Sequence, residues 1–192
     1  MPGIPIVFCG PSGVGKSTLA DEILRRLPDF GRLITVTTRA PRVGETDGRD
    51  YHFVTPEEFD RRLSVGEFLE SVDYCGQRYG TWRPALEDQL QRHRAVLCVL
   101  ELHGALILKQ VMPATRLVFI DTADADLRGR LERRPGFTAE TVAVRMAAVA
   151  EKRQLFQANE ELFSLHIDNR DGDLANTVDL LEIFVRVTAF VK

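Results

Sequence analysis

Eight residues near the start of the chain carry chemistry in their spacing. Gly10-Pro11-Ser12-Gly13-Val14-Gly15-Lys16-Ser17 places four residues between a glycine and a Gly-Lys-Ser triplet. Glycines let successive backbone N–H groups converge on phosphate oxygens, and a helix starting there adds the positive end of its dipole. The lysine then reaches β- and γ-phosphates, and the hydroxyl after it holds Mg²⁺. The sequence therefore predicts a nucleotide phosphate cradle from Ser12, Gly13, Val14, Gly15, Lys16, Ser17 and Thr18, with Ser17 as the metal ligand. This motif alone does not separate a kinase from a GTPase, an ATPase or a nucleotide-binding module.

Further cations follow. Arg39 and Arg42 lie three apart with Pro41 between them. Guanidinium forks match phosphate oxygens bidentately, so the pair is suited to a second phosphate. Two solvated loop arginines fit these residues as well. The stretch 124–149 carries Arg128, Arg130, Arg133, Arg134 and Arg145.

Other chemistries find no support. The cysteines, Cys9, Cys75 and Cys98, have no paired spacing, and Cys9 and Cys98 sit in apolar runs that predict buried thiols. The four histidines show no metal-ligand spacing. A net charge of −3 over 192 residues gives no sign of a nucleic-acid or membrane-surface partner. Neither a secretory leader at Met1 to Phe8 nor a membrane span is expected, and the cytoplasm is the expected compartment. Oligomeric state is not legible.

The elements that must position these residues are an α/β set. Ile4 to Phe8 reads as a buried strand, and Leu19, Ile23 and Leu27 recur at helical spacing before Pro28. Ala95 to Leu100, Arg116 to Ile120 and Leu165 to Ile167 read as further strands. Leu174, Val178, Leu181 and Val185 mark one face of a last helix. These pieces predict a parallel sheet flanked by helices. Residues 34 to 82 differ, being rich in Thr, Tyr, Phe and Val with turns at Gly44, Asp47-Gly48 and Gly76. They predict a small inserted lobe, antiparallel or mixed. Thr55-Pro56-Glu57-Glu58 reads as a capping box opening a helix there. The arginine-rich stretch predicts two helices broken at Pro135-Gly136. Trp82 is expected to pack, and Arg25-Arg26 and Arg61-Arg62 to be solvated.

The run Thr37-Thr38-Arg39-Ala40-Pro41-Arg42-Val43-Gly44-Glu45, continuing through Asp47-Gly48 and Asp50-Tyr51-His52-Phe53, resembles the guanylate kinase family. The resemblance continues in Gly66 to Glu70, in Tyr79-Gly80-Thr81, in Arg130 to Arg134, at Arg145 and at Asn169, and so spans nearly the whole chain. It implies a P-loop core over 1–33, 85–124 and 150–192, a lobe binding the nucleoside monophosphate over 34–84, and a helical lid over 125–149. It implies ATP with Mg²⁺ as phosphoryl donor and GMP as acceptor. Arg39, Arg42, Tyr51 and Tyr79 would bind the acceptor phosphate, with Glu45 orienting the arginines. Thr35, Glu70 and Thr81 would face the base, with Glu101 a further acid. Lys16, Arg39, Arg130, Arg134 and Arg145 would act on the transferring group, and Asn169 would lie near the adenine. Guanine offers donors at N1 and its amine, and one carboxylate accepts both; adenine lacks the first.

The chain departs from the family's usual pattern in places. Val99-Leu100-Glu101 stands where Asp-x-Asp is usual, His103 where glutamine is common, Pro135 where glycine is common, and Thr35 where serine is usual. Two other readings compete: a P-loop kinase for another phosphorylated acceptor such as ribose 1,5-bisphosphate, and a silent guanylate-kinase-like module that binds proteins. Thr35, Glu70 and Thr81 argue against the first, and intact Lys16 and Ser17 against the second.

Overall fold

Strands that are apolar without alternation must be covered on both faces. Ile4–Cys9 (β1) is such a run, and in the computed structural model, which describes residues 3–190, it is the middle strand of a five-stranded parallel sheet. The chain continues through α1 (Lys16–Arg26), β2 (Gly31–Arg32), β3 (Val36–Thr37), β4 (His52–Phe53), α2 (Pro56–Ser64), β5 (Phe68–Tyr74), β6 (Gln77–Trp82) and α3 (Arg83–Arg92). Its second half holds β7 (Ala95–Val99), α4 (Leu102–Val111), β8 (Arg116–Asp121), α5 (Asp124–Glu132), α6 (Ala139–Gln157), β9 (Phe163–Asp168) and α7 (Leu174–Phe190). The order in the parallel sheet is β2-β7-β1-β8-β9.

Alternate residues of β1 serve opposite faces. Ile6 and Phe8 share a core with Leu19 and Ile23 of α1 and Leu181 and Val185 of α7. Val7 and Cys9 share the other with Leu86, Leu102, Leu108 and Phe156. Cys9 and Cys98 are buried, as expected, and burial pushes the Cys9 thiol up to about 12, so it stays protonated at neutral pH. The predicted face of α7 is one residue too long: Leu174, its first residue, is exposed. Nor is Arg26 merely solvated, since it joins α1 to α7 through Asp179 and Glu182.

The insert folds as a second sheet of order β4-β3-β6-β5, with β3 and β4 parallel and the other pairs antiparallel. Val36, Phe59 and Phe68 form its own small core. Trp82 packs there: its Nε1 donates to Glu67 at 3.0 Å, and the Arg62 guanidinium lies 4.8 Å from its ring. Arg62 is thus a packing residue, not a solvated one. Thr55 caps α2 by accepting from the Glu58 N–H at 3.2 Å. The Glu58 carboxylate turns to Arg61 and Arg62 instead of back to Thr55, so half of the capping box forms. α5 and α6 meet around Pro135-Gly136, where Gly136 takes a φ of +79°. No helix of the described residues is long and apolar enough to cross a membrane.

Candidate active site

The phosphate loop joins the C-terminal end of β1 to α1. From β1 the sheet runs to β7 and β2 on one side and to β8 and β9 on the other, and such switch points are where open α/β sheets bind ligands. Gly15 holds φ +97°, and a Cβ there would come 2.7 Å from Asn169 Nδ2. At Gly10 a Cβ would come 2.0 Å from the Ile120 carbonyl oxygen. Only glycine fits either position. Helix α1 has no side-chain cap and no acid in its first turn, which leaves its positive end to an anion. Lys16 Nζ folds back to donate to the carbonyls of Gly10 and Pro11, at 2.9 and 2.8 Å. Burial, then the charge of Lys152, lowers its pKa to about 8 against the pull of Glu101.

The loop opens into a cleft of about 360 Å³. Ser12, Gly13, Gly15, Lys16, Ser17 and Thr18 line one side, and Thr35, Arg42, Tyr51, Glu70 and Tyr79 line the other. Arg130 of α5, Arg134 just after it and Arg145 of α6 enter from a further side, and Glu101 from just past the end of β7. The structure thus brings most of the predicted residues into one space. Val14, Arg39, Glu45, Thr81 and Asn169 stand behind its walls.

Those five have structural partners. Arg39 donates to both Glu45 oxygens, at 2.8 and 2.9 Å, and its guanidinium lies 5.3 Å from the Tyr51 ring. The Arg42 N–H donates to Glu45 at 2.8 Å. Burial alone would raise the Glu45 carboxyl, but the hydrogen bonds from Arg39 and Arg42 hold it below its ordinary value. One carboxylate therefore fixes the loop that presents Arg42. Asn169 Nδ2 donates to the Val14 carbonyl at 2.7 Å, and Arg130 donates to the Val14 and Asn169 carbonyls at 3.1 and 2.7 Å. Both brace the phosphate loop.

At the other end Thr81 lies opposite Glu70 across β5 and β6, beside a register shift that re-aims the strand. The Thr81 hydroxyl donates to Glu70 Oε1 at 2.6 Å, while Oε2 is buried without a partner. Burial pushes the Glu70 carboxyl up to about 7, although Thr81 pulls it back. A Cβ at Gly104 would meet Oε2 at 2.4 Å, so glycine is what lets the carboxylate rest on α4. Gly104→Ala is expected to raise the acceptor KM about tenfold with the donor KM within about twofold, as an overpacked site shifts Glu70. Steady-state kinetics with each substrate varied checks this. Glu101, by contrast, has both oxygens engaged: one accepts from Lys152, the other from the Leu102 N–H at 3.1 Å.

One cleft therefore faces a phosphate loop with an arginine loop, a buried carboxylate and the arginines around α5 and α6. The guanylate kinase family model matches residues 3–186. The chain belongs to the guanylate kinase family. A guanylate kinase from Synechocystis sp. is 39% identical over 175 residues, covering 88% of this chain and 87% of the relative. One from Rubrobacter xylanophilus is 36% identical over 185 residues, covering 96% and 94%. The crystal structure of guanylate kinase from Anaplasma phagocytophilum matches with a TM-score of 0.77 at 28% identity, over 98% of this chain and 87% of that one.

This guanylate kinase family member has site residues that motif reading missed. Tyr74 lines the cleft at the end of β5, with Arg145 and Lys152 both against its ring. Lys152 is 4% exposed and reaches Glu101 from α6. The spacing of Arg145 and Lys152, two helical turns, was visible in the sequence. Their common target on another strand was not.

Proposed function

We propose that this enzyme moves the γ-phosphoryl group of ATP onto the 5′-phosphate of GMP, and likewise of dGMP, by clamping both nucleotides in one cleft. The observation that carries this reading is the buried Glu70 carboxylate in the same cleft as Lys16, one of its oxygens without a partner. A buried carboxylate oxygen wants a donor, and guanine offers two adjacent ones.

ATP's phosphates lie in the loop, met by Lys16 and the first turn of α1. The acceptor phosphate lies on Arg42, Tyr51 and Tyr79, held in place by Arg39 and Glu45 behind them. Glu70 reads the base, backed by Thr81 and flanked by Thr35. Arg134 and Arg145 close on the transferring group. Arg130 and Asn169 act through the loop they brace, which places Asn169 on the donor side without direct contact. The acceptor is a phosphate oxygen whose second proton leaves near pH 6, so no general base is needed. Catalysis is then alignment plus charge neutralisation, with bound nucleotides and closure over them needed to keep water out.

Mg²⁺ fits this site. Among the described residues no group of three or more His, Cys, Asp or Glu is placed to hold a metal. Mg²⁺ keeps several waters and takes phosphate oxygens with few protein ligands, so the Ser17 hydroxyl is a sufficient protein share. When bound it supplies neutralising charge to the phosphates.

ADP release compared across GMP, dGMP, AMP, CMP, UMP and ribose 1,5-bisphosphate tests the acceptor. GMP and dGMP are expected to dominate, and a preference for the bisphosphate would reject the reading. Arg42→Ala is expected to raise KM for GMP about thirtyfold, the size of a lost charge-assisted contact, with KM for ATP within about twofold. Equal losses for both substrates would remove Arg42 from the acceptor side.

A further inference from the structure

Two cations of one helix share one ring. Arg145 and Lys152 are seven residues apart on α6, so both lie on the same face. The Arg145 Cζ lies 4.9 Å and the Lys152 Nζ 3.9 Å from the centroid of Tyr74. Tyr74 belongs to the second sheet and lines the cleft with Arg145, whereas Lys152 does not reach the cleft. Glu101, at the start of α4 in the core, holds the Lys152 ammonium from another side. Lid helix, acceptor lobe and core therefore meet at one buried cation.

A buried lysine is expensive, and an apolar residue of similar length would pack there at less cost. A lysine placed there next to a second cation asks for a use. Arginine side chains carry large rotamer freedom, and phosphoryl transfer needs a fixed guanidinium. An aromatic face supplies a flat, electron-rich rest for one. The Tyr74 hydroxyl is buried with no partner at hydrogen-bond geometry, and although burial alone would lower the Arg145 guanidinium, the nearby phenol holds it above its ordinary value, so ring and hydroxyl both face it.

We propose that Tyr74 and Lys152 are positioning residues for phosphoryl transfer: Lys152, anchored on Glu101, fixes the Tyr74 ring, and the ring fixes the Arg145 guanidinium while tying lid to acceptor lobe. This rests on the role given above to Arg145. Neither residue touches the reacting atoms; both act through Arg145.

The test is a kinetic cycle. Tyr74→Leu is expected to lower kcat about tenfold, the rate equivalent of a desolvated cation–π contact, with KM for ATP within about twofold. Tyr74→Phe keeps the ring and should hold kcat within about threefold of wild type. Lys152→Gln keeps a hydrogen-bond donor for Glu101, drops the charge, and should match Tyr74→Leu. In an Arg145→Ala background, Tyr74→Leu should cost less than about twofold, since it has no guanidinium left to place. The clamp is overturned if Tyr74→Leu leaves kcat unchanged, if Tyr74→Phe falls as far as Tyr74→Leu, or if the Tyr74 and Arg145 losses multiply. Should Lys152→Gln fail to fold, the Tyr74 and Arg145 variants decide alone. Wild-type kcat in Arg145→Ala would instead overturn the role of Arg145, and the clamp with it.

Discussion

Lys16→Ala is expected to lower kcat about 10³-fold with the fold intact, the scale of losing a preorganised charge at a transferring phosphoryl group. On the proposed function the loss falls on chemistry, because Lys16 would meet the negative charge that moves between donor and acceptor. The fold should survive because Gly10 and Gly15 set the loop's backbone, and water can replace the two bonds that Lys16 gives to the Gly10 and Pro11 carbonyls. The sign of its pKa shift agrees. Burial lowers the Lys16 value to about 8 from 10.5, so folding disfavours its charge, and that charge weakens the free protein at neutral pH. Losing that charge and losing the two loop hydrogen bonds oppose each other, so thermal melting of Lys16→Ala should stay close to wild type. The same shift predicts that ATP binding weakens as pH rises through about 8, because the ammonium must be present to meet the phosphates. ATP titrations between pH 7 and 9 check this, and the limb should vanish in Lys16→Ala. Near-normal turnover in the variant would remove Lys16 from the reaction.

What could be read from the sequence was what local pattern dictates. The phosphate loop fixes its own backbone within eight residues, and the apolar runs of β1, β7 and β8 cannot lie anywhere but inside. The arginine loop was legible through the family resemblance, since Arg39 and Arg42 alone also suited a solvated loop; the Glu45 bonds to both are local and agree with it. Contacts between distant segments were not legible. Asn169 sits behind the loop because β9 runs beside β8, a pairing that only the assembled sheet sets. Arg39 stands behind the wall because Glu45 takes both ends of its fork. Tyr74 and Lys152 are 78 positions apart, and nothing in either stretch announces the other. Glu101 was read as a further acid toward the base, and the helix it caps and the lysine it meets, neither visible locally, engage one site on each of its oxygens.

That last point sharpens what Glu70 must do. With Glu101 satisfied, Glu70 Oε2 is the one cleft carboxylate oxygen that is buried and unpartnered among the described residues. Glu70→Gln is expected to reduce the preference for GMP over AMP about 10²-fold or more, since a carboxamide presents one oxygen where guanine brings two donors. The wild-type site carries a pH signature as well. Burial raises the Glu70 carboxyl to about 7, so below that pH the free enzyme holds a proton that guanine must displace. GMP binding should then release a proton and weaken as pH falls from 7 toward 6, on top of the titration of the nucleotide phosphate itself. Glu70→Gln retains only the phosphate's share, so the two pH profiles, taken by calorimetry in buffers of different ionisation enthalpy, should differ by that one proton. AMP, which has no N1 donor, gains nothing from the carboxylate and should show no such difference. Coincident GMP profiles for wild type and variant, with guanine preference intact, would take base reading away from Glu70.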